Sequence, residues 1–210
     1  MTPVWEKPTS AVLDTFLAGH AAPQTIVMVG LSLGGYLAAR AAALEPRIRG
    51  VVSYDIFDGH AVAQRGLPLP GRVLRDWGLD GLVDVIAPVF GRLNPAAASA
   101  LVVGGTMLGT DKAREIADAL EHYRIGTAAS RIGQDVLLFA GEDDQLVPVQ
   151  QMEELRRTLV HARSVTAKVY DRVSGGSEHS QLGATTLWQA DLFDWLNEKF
   201  PDAPAQPRMR

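Results

Sequence analysis

The sequence predicts an α/β fold, a mostly parallel sheet with flanking helices, interrupted by an inserted helical cap. Three observations carry this expectation. Helix-like and strand-like segments alternate over the first 55 residues and resume after about residue 130. Thr25 to Val29 is a continuous apolar run, as in a parallel strand buried on both faces. Between the two α/β stretches lies a segment punctuated by Pro68, Pro70, Gly71, Pro88 and Pro95, with helical periodicity only.

Residues 9–18 read as a helix capped by Thr9 or Ser10, with Val12, Leu13, Phe16 and Leu17 at helical spacing and Gly19 as its stop. Thr25 to Val29, bounded by Pro23 and Gly30, is the first strand. Leu33 to Leu44 is rich in the good helix formers Ala and Leu, and Pro46 closes it. Gly50 to Tyr54 is the second strand. Within the insertion, Asp111 to His122 is the clearest helix. Asp135 to Ala140 and Val165 to Tyr170 then read as strands, and Val149 to Val160 and Leu187 to Phe200 as helices. The expected organisation is a core of residues 1–55 and 131–200, a cap of residues 56–130, and a loose tail of residues 201–210.

Charge and composition narrow the function. The 210 residues carry 20 Lys+Arg against 24 Asp+Glu, a net charge of −4, with no basic block. This argues against nucleic acid or an anionic membrane as partner. The absence of cysteine excludes a disulfide framework, Cys-ligated zinc and thiol catalysis. Met1 to Lys7 lack the charged-then-apolar pattern of a secretory leader, and no apolar run reaches the length of about 18 residues that spans a bilayer. A cytoplasmic protein is expected.

The sharpest signal is Gly30-Leu31-Ser32-Leu33-Gly34. Composition alone yields about 0.08 such Gly-x-Ser-x-Gly matches, so context must supply the specificity. Here the serine sits where a buried strand turns into an Ala-rich helix. A tight turn there strains the serine backbone, excludes side chains at the glycines, and lifts the hydroxyl out at the carboxyl edge of the sheet. It also aims the Leu33 amide, at the helix N-terminus, toward a developing oxyanion.

A serine nucleophile needs a base that an acid orients. Asp144, in GEDDQLVP just past the DVLLFA strand, and His179, in GGSEHSQ after the next strand, follow Ser32 in the order Ser, Asp, His. His179 then takes the Ser32 proton, and Asp144 holds the imidazole. Asp143 reads as a solvated loop carboxylate, and Asp144 is preferred over it on motif spacing. Asp55, just past the second strand, is the alternative acid, or else a hydrogen-bonding residue at the root of the cap. His122 and His161 read as surface residues on helical stretches, His20 as a residue at a helix end, and His60 as structural or substrate-facing. No His and carboxylate set has metal-ligand spacing, so no metal is expected.

With these residues in hand the chain resembles the α/β-hydrolases. The pieces VGLSLGGYLAARAAALEPRI, LLFAGEDDQLVP and GGSEHSQLG resemble the subgroup of 2,6-dihydroxypseudooxynicotine hydrolase and related dipeptidyl-aminopeptidase-like and FrsA-like esterases. Where that subgroup usually has Cys after the Glu-His pair, this chain has Ser180. The resemblance implies hydrolysis of a small ester, amide or ketone (C–C) substrate without a cofactor, through Ser32, His179 and Asp144 with the Leu33 amide as oxyanion donor. The cap would set specificity; Trp77, Phe90, Met107 and Tyr123 are its candidate pocket or core residues.

One departure stands out. Family members usually have several strands before the nucleophile strand, and the loop after the third supplies a second oxyanion donor. Only 24 residues precede Thr25. The expectation is therefore an N-terminally truncated member whose first strand is an exposed apolar edge, a template for association of copies. Loss of one oxyanion donor costs about 10²–10³ in rate. The alternative to an active enzyme is a catalytically incomplete fragment acting as a binding or assembly module.

Overall fold

The structure, a computed structural model, describes residues 2–60, 77–79 and 81–201. Pro68, Pro70 and Gly71 of the insertion and the tail at 202–210 lie outside the described residues. The chain divides into two compact units, Val4–Ile56 with Ile125–Arg210, and Phe57–Arg124 with Met1–Pro3.

The first unit is a four-stranded parallel sheet in the order β1-β2-β3-β4, formed by β1 (Val27–Leu31), β2 (Gly50–Tyr54), β3 (Asp135–Gly141) and β4 (Ser164–Tyr170). Its helices are α1 (Glu6–Gly19), α2 (Leu33–Leu44), α6 (Val149–Thr158) and α7 (Thr185–Lys199), with a 3₁₀ turn at Gly126–Arg131. β2 and β3 are buried throughout, whereas β1, whose apolar run predicts burial on both faces, is only partly buried, since among the described strands it pairs on one side alone.

Successive β2 side chains point to opposite faces. Val52 and Tyr54 join Leu137, Phe139, Tyr170, Leu192 and Trp195 in one core beneath α7, while Ser53 Oγ between them donates to the Gly35 carbonyl of α2 at 3.0 Å. Each large side chain in that core contributes about 1.5–3 kcal/mol on burial. Tyr54 sits at the junction, its ring edge-on to both Phe139 and Trp188 with centroids 5.0 Å apart in each case.

α1 begins at Glu6, earlier than its sequence suggests, and neither Thr9 nor Ser10 caps it. Pro8 falls in the first turn, where no intrahelical carbonyl awaits an N–H, so it extends the helix start at little cost. Tertiary bonds hold that turn. Glu6 takes a forked pair of hydrogen bonds from Arg40 at 2.8 and 3.2 Å, and Ser10 Oγ accepts from Arg47 at 2.9 Å. β1 likewise runs two residues later than expected, because the ladder with β2 continues through Gly30↔Ser53 and Leu31↔Tyr54.

The second unit contains α3 (Gly81–Leu93), α4 (Pro95–Leu108) and α5 (Ala113–Glu121). Asp84 accepts the Arg114 amide at 2.9 Å, tying α3 to α5, and Asn94 Oδ1 accepts the Ala97 amide at 3.2 Å, opening α4. Tyr123 is buried in this unit, whereas Trp77 is 74% exposed.

The glycines of the Gly-x-Ser-x-Gly turn are not equivalent. A Cβ on Gly30 would lie 2.0 Å from the Gly34 carbonyl oxygen, so the chain closes on itself there. Among the described residues, a Cβ on Gly34 would meet nothing within 4 Å, which corrects the expectation that both glycines exclude a side chain. Gly30→Ala is therefore expected to destabilise the fold by about 3 kcal/mol. Gly34→Ala should leave stability unchanged or raise it by up to about 1 kcal/mol, since Gly is the poorer helix residue. Urea denaturation of the two variants checks the contrast.

Candidate active site

All four strands run parallel, so their carboxyl ends share one edge of the sheet, and Leu31, Tyr54, Phe139 and Lys168 stand level across the ladder. Ser32 and Asp55 directly follow β1 and β2. Asp144 lies three residues beyond β3, and His179 opens the short kinked turn His179–Ala184 beyond β4.

Ser32 has φ 55 and ψ −121, a conformation that costs a non-glycine residue about 1–3 kcal/mol. Two backbone bonds hold it there. Its amide donates to the Tyr54 carbonyl at 2.7 Å and its carbonyl accepts the Gly35 amide at 2.9 Å. The hydroxyl makes no cap bond to α2. Leu33 opens the helix, and its amide is among the first-turn N–H groups that no intrahelical carbonyl satisfies.

Asp144 is fixed by its own loop. Its Oδ1 accepts the amides of Leu146 and Val147 at 2.8 and 2.9 Å, and its Oδ2 accepts from His179 Nδ1 at 2.6 Å. A carboxylate oxygen only accepts, so Nδ1 carries the proton and Nε2 is left as the basic nitrogen. Burial disfavours the charged imidazole, but the Asp144 hydrogen bond and the negative charges of Asp144 and Asp55 outweigh it, and the His179 pKa is raised above its ordinary 6.5.

The structure thus brings Asp144 and His179 into direct contact and adds Asp55, the three offering atoms within 4.8 Å of one another. Ser32 stands on the same edge, one strand beyond Asp55, and no hydrogen bond joins its hydroxyl to His179. The gathering of one histidine and two carboxylates was invisible as spacing in the sequence. Their donor atoms are engaged by the protein, since both Asp144 oxygens, both Asp55 oxygens and His179 Nδ1 carry hydrogen bonds.

The remaining candidates lie elsewhere. Asp143 is drawn away by a forked bond from Arg172 at 2.6 and 2.8 Å. His161 falls in the turn past α6, not on the helix, because α6 ends at Thr158, and its Nδ1 contacts the Ser130 carbonyl at 2.7 Å. His20 stacks on Phe16 just past α1, and His122 follows α5. Sequence reasoning missed Gln181, which is fully buried with φ 43 and donates to Asp55 at 3.2 Å. No sequence signal marks it, because the backbone that buries it is irregular.

A profile of the alpha/beta hydrolase fold matches residues 7–182. The chain belongs to the alpha/beta hydrolase family. Among curated relatives, it is 26% identical over 215 residues to hydrolase acrC of Aspergillus aculeatus, covering 95% of this chain and 49% of that one. It is 25% identical over 209 residues to the 20-hydroxy-prefusarin hydrolase FUS2 of Gibberella moniliformis, covering 93% and 49%. The chain therefore spans about half the length of these relatives.

Among solved structures, 2,6-dihydroxy-pseudo-oxynicotine hydrolase aligns with a TM-score of 0.63 at 20% identity, covering all of this chain and 50% of that one. Est1E from Butyrivibrio proteoclasticus aligns at 0.60 and 14% identity, covering 94% and 70%. These likenesses bear on the fold. Both agree with the α/β-hydrolase fold expected from the sequence, a parallel sheet with flanking helices. No helix among the described residues is long and apolar enough to cross a membrane.

The charges on this sheet edge set the His179 titration. Asp144→Asn removes the charge on the imidazole's bonded partner, and the His179 titration midpoint should fall by about 1 pH unit or more. The imidazole Cε1–H resonance followed against pH reads this.

Proposed function

We propose that this chain carries a serine hydrolase site acting through an acyl-enzyme on a small ester, amide or ketone. The observation that supports it best is the 2.6 Å His179–Asp144 bond on the sheet edge that also bears the strained Ser32. In this reading Ser32 Oγ attacks the substrate carbonyl carbon as its proton passes to His179 Nε2. The carbonyl oxygen becomes an oxyanion facing the Leu33 amide at the positive end of α2. Collapse of the tetrahedral species expels the alcohol, amine or carbon leaving group, which takes the proton back from His179. Water, deprotonated by the same nitrogen, then attacks the acyl-serine, releasing the acid and restoring Ser32. Asp144 holds Nδ1–H and stabilises the imidazolium throughout. Within the described site no step calls on a cofactor.

Ser32→Ala is expected to abolish both labelling by a fluorophosphonate and turnover of a p-nitrophenyl ester, and His179→Ala to cut turnover by at least about 10³-fold. Wild-type protein that neither labels nor turns over overturns the reading. The base must be neutral to accept a proton, so kcat/KM should fall on the acid side with a midpoint above 6.5, as the raised imidazole pKa dictates.

The β1 edge favours a second reading, an assembly module. Among the described strands β1 pairs only with β2, and it leaves Val29 40% and Leu31 41% exposed. A second copy adding its own β1 would satisfy the free backbone groups and cover these side chains. Light scattering should then report a dimer that Val29→Lys dissociates; a wild-type monomer at micromolar concentration overturns this reading.

A further inference from the structure

Four non-glycine residues among those described have a positive φ, namely Ser32, Asp55, Ser180 and Gln181, and all four lie on the carboxyl edge of the sheet. Ser32 is explained by the nucleophile turn. The other three are one connected structure. Asp55, 1% exposed, receives the Gly141 amide on Oδ1 at 2.9 Å, and on Oδ2 the Ser180 amide at 2.5 Å and Gln181 Nε2 at 3.2 Å. Gln181 Nε2 also donates to the Glu178 carbonyl at 3.0 Å. The residues on both sides of His179 are therefore moored through one buried carboxyl group.

We propose that Asp55 is a positioning residue: it locks the left-handed backbone that presents His179, and it serves as a second anion, beside Asp144, for the imidazolium formed when the base takes its proton. Its catalytic meaning rests on the hydrolase reading above; its physical action on His179 does not.

The chemistry of the donors explains why the residue is an acid. Three N–H groups converge on two oxygens, and a carboxylate meets them with acceptors alone. Asparagine would offer one acceptor and turn its own NH₂ toward a backbone N–H. The ionisable groups facing Asp55 are Asp144 from the β3–α6 loop, His179 from the loop it moors, and buried Tyr54 beside it on β2. Those acting on the imidazole are Asp144 and Asp55. Burial, with the Asp144 charge added, pushes the Asp55 pKa up to about 6, against the lowering effect of the Ser180 and Gly141 amides. Above that pH Asp55 is charged and the imidazolium is favoured; below it this second anion is neutralised.

Nuclear magnetic resonance on the intact protein tests this without a substrate. In the wild type the Ser180 and Gly141 amide resonances should titrate together with a midpoint near the Asp55 value of about 6. Resonances that stay flat, or that titrate in the ordinary carboxylate range, overturn the proposal. In Asp55→Asn the His179 midpoint should fall by about 1 pH unit. Gln181→Met, which loosens the same mooring but keeps the charge, should move it far less. Equal shifts in the two variants reduce Asp55 to a structural clamp and refute the electrostatic half. Should Asp55→Asn fail to fold, the wild-type amide titration still decides. With a p-nitrophenyl ester, the acid limb of kcat/KM in Asp55→Asn should move down with the His179 midpoint. Absent wild-type turnover refutes the hydrolase reading and leaves the resonance results standing.

Discussion

The parallel ladder is the constraint on which the rest of the molecule depends. Because β1 to β4 run in one direction and in level register, every loop that follows a strand emerges on one edge. Residues separated by more than a hundred positions, such as Asp55 and Ser180, then meet without any dedicated scaffold. The ladder is held from both faces, by α2 with its Ser53–Gly35 bond on one side and by the aromatic core under α7 on the other. Slipping a strand by one residue would exchange those faces and scatter the edge.

Against this regular base, the edge itself is irregular, and the irregularity is held in place by hydrogen bonds from the sheet. Ser32 is anchored through Tyr54, and Asp55 through its own amide on the Phe139 carbonyl. A Cβ on Gly141 would sit 2.4 Å from the Ser177 carbonyl, so the end of β3 is kept bare where the histidine loop crosses it. Unfavourable backbone conformations persist because surrounding bonds over-determine them. Strain at Ser32 keeps its hydroxyl off the helix cap, while strain at Ser180 and Gln181 turns the chain sharply behind His179.

Much of this was legible in the sequence, for identifiable reasons. Short, mostly apolar stretches located β2 and β3, and alanine content located α2, because burial and helix propensity act residue by residue. The Gly-x-Ser-x-Gly turn and the order of Ser32, Asp144 and His179 were readable because a strand-to-helix turn has a local signature. The start of α1 was not readable, since it is fixed by Arg40 and Arg47, more than thirty positions away. Gln181 and the mooring function of Asp55 were beyond reach for the same reason. They arise from contacts between loops, and no periodicity or motif encodes those.

The unequal glycines of the Gly-x-Ser-x-Gly turn have a practical corollary. Among the described residues nothing crowds position 34, one residue past the Leu33 amide, and the sequence contains no cysteine. A thiol introduced at that position would be the sole one among these 210 residues, a clean anchorage for a fluorophore, spin label or tethered fragment beside Ser32. The same position lets a side chain be varied beside Ser32 without disturbing the turn that Gly30 keeps closed.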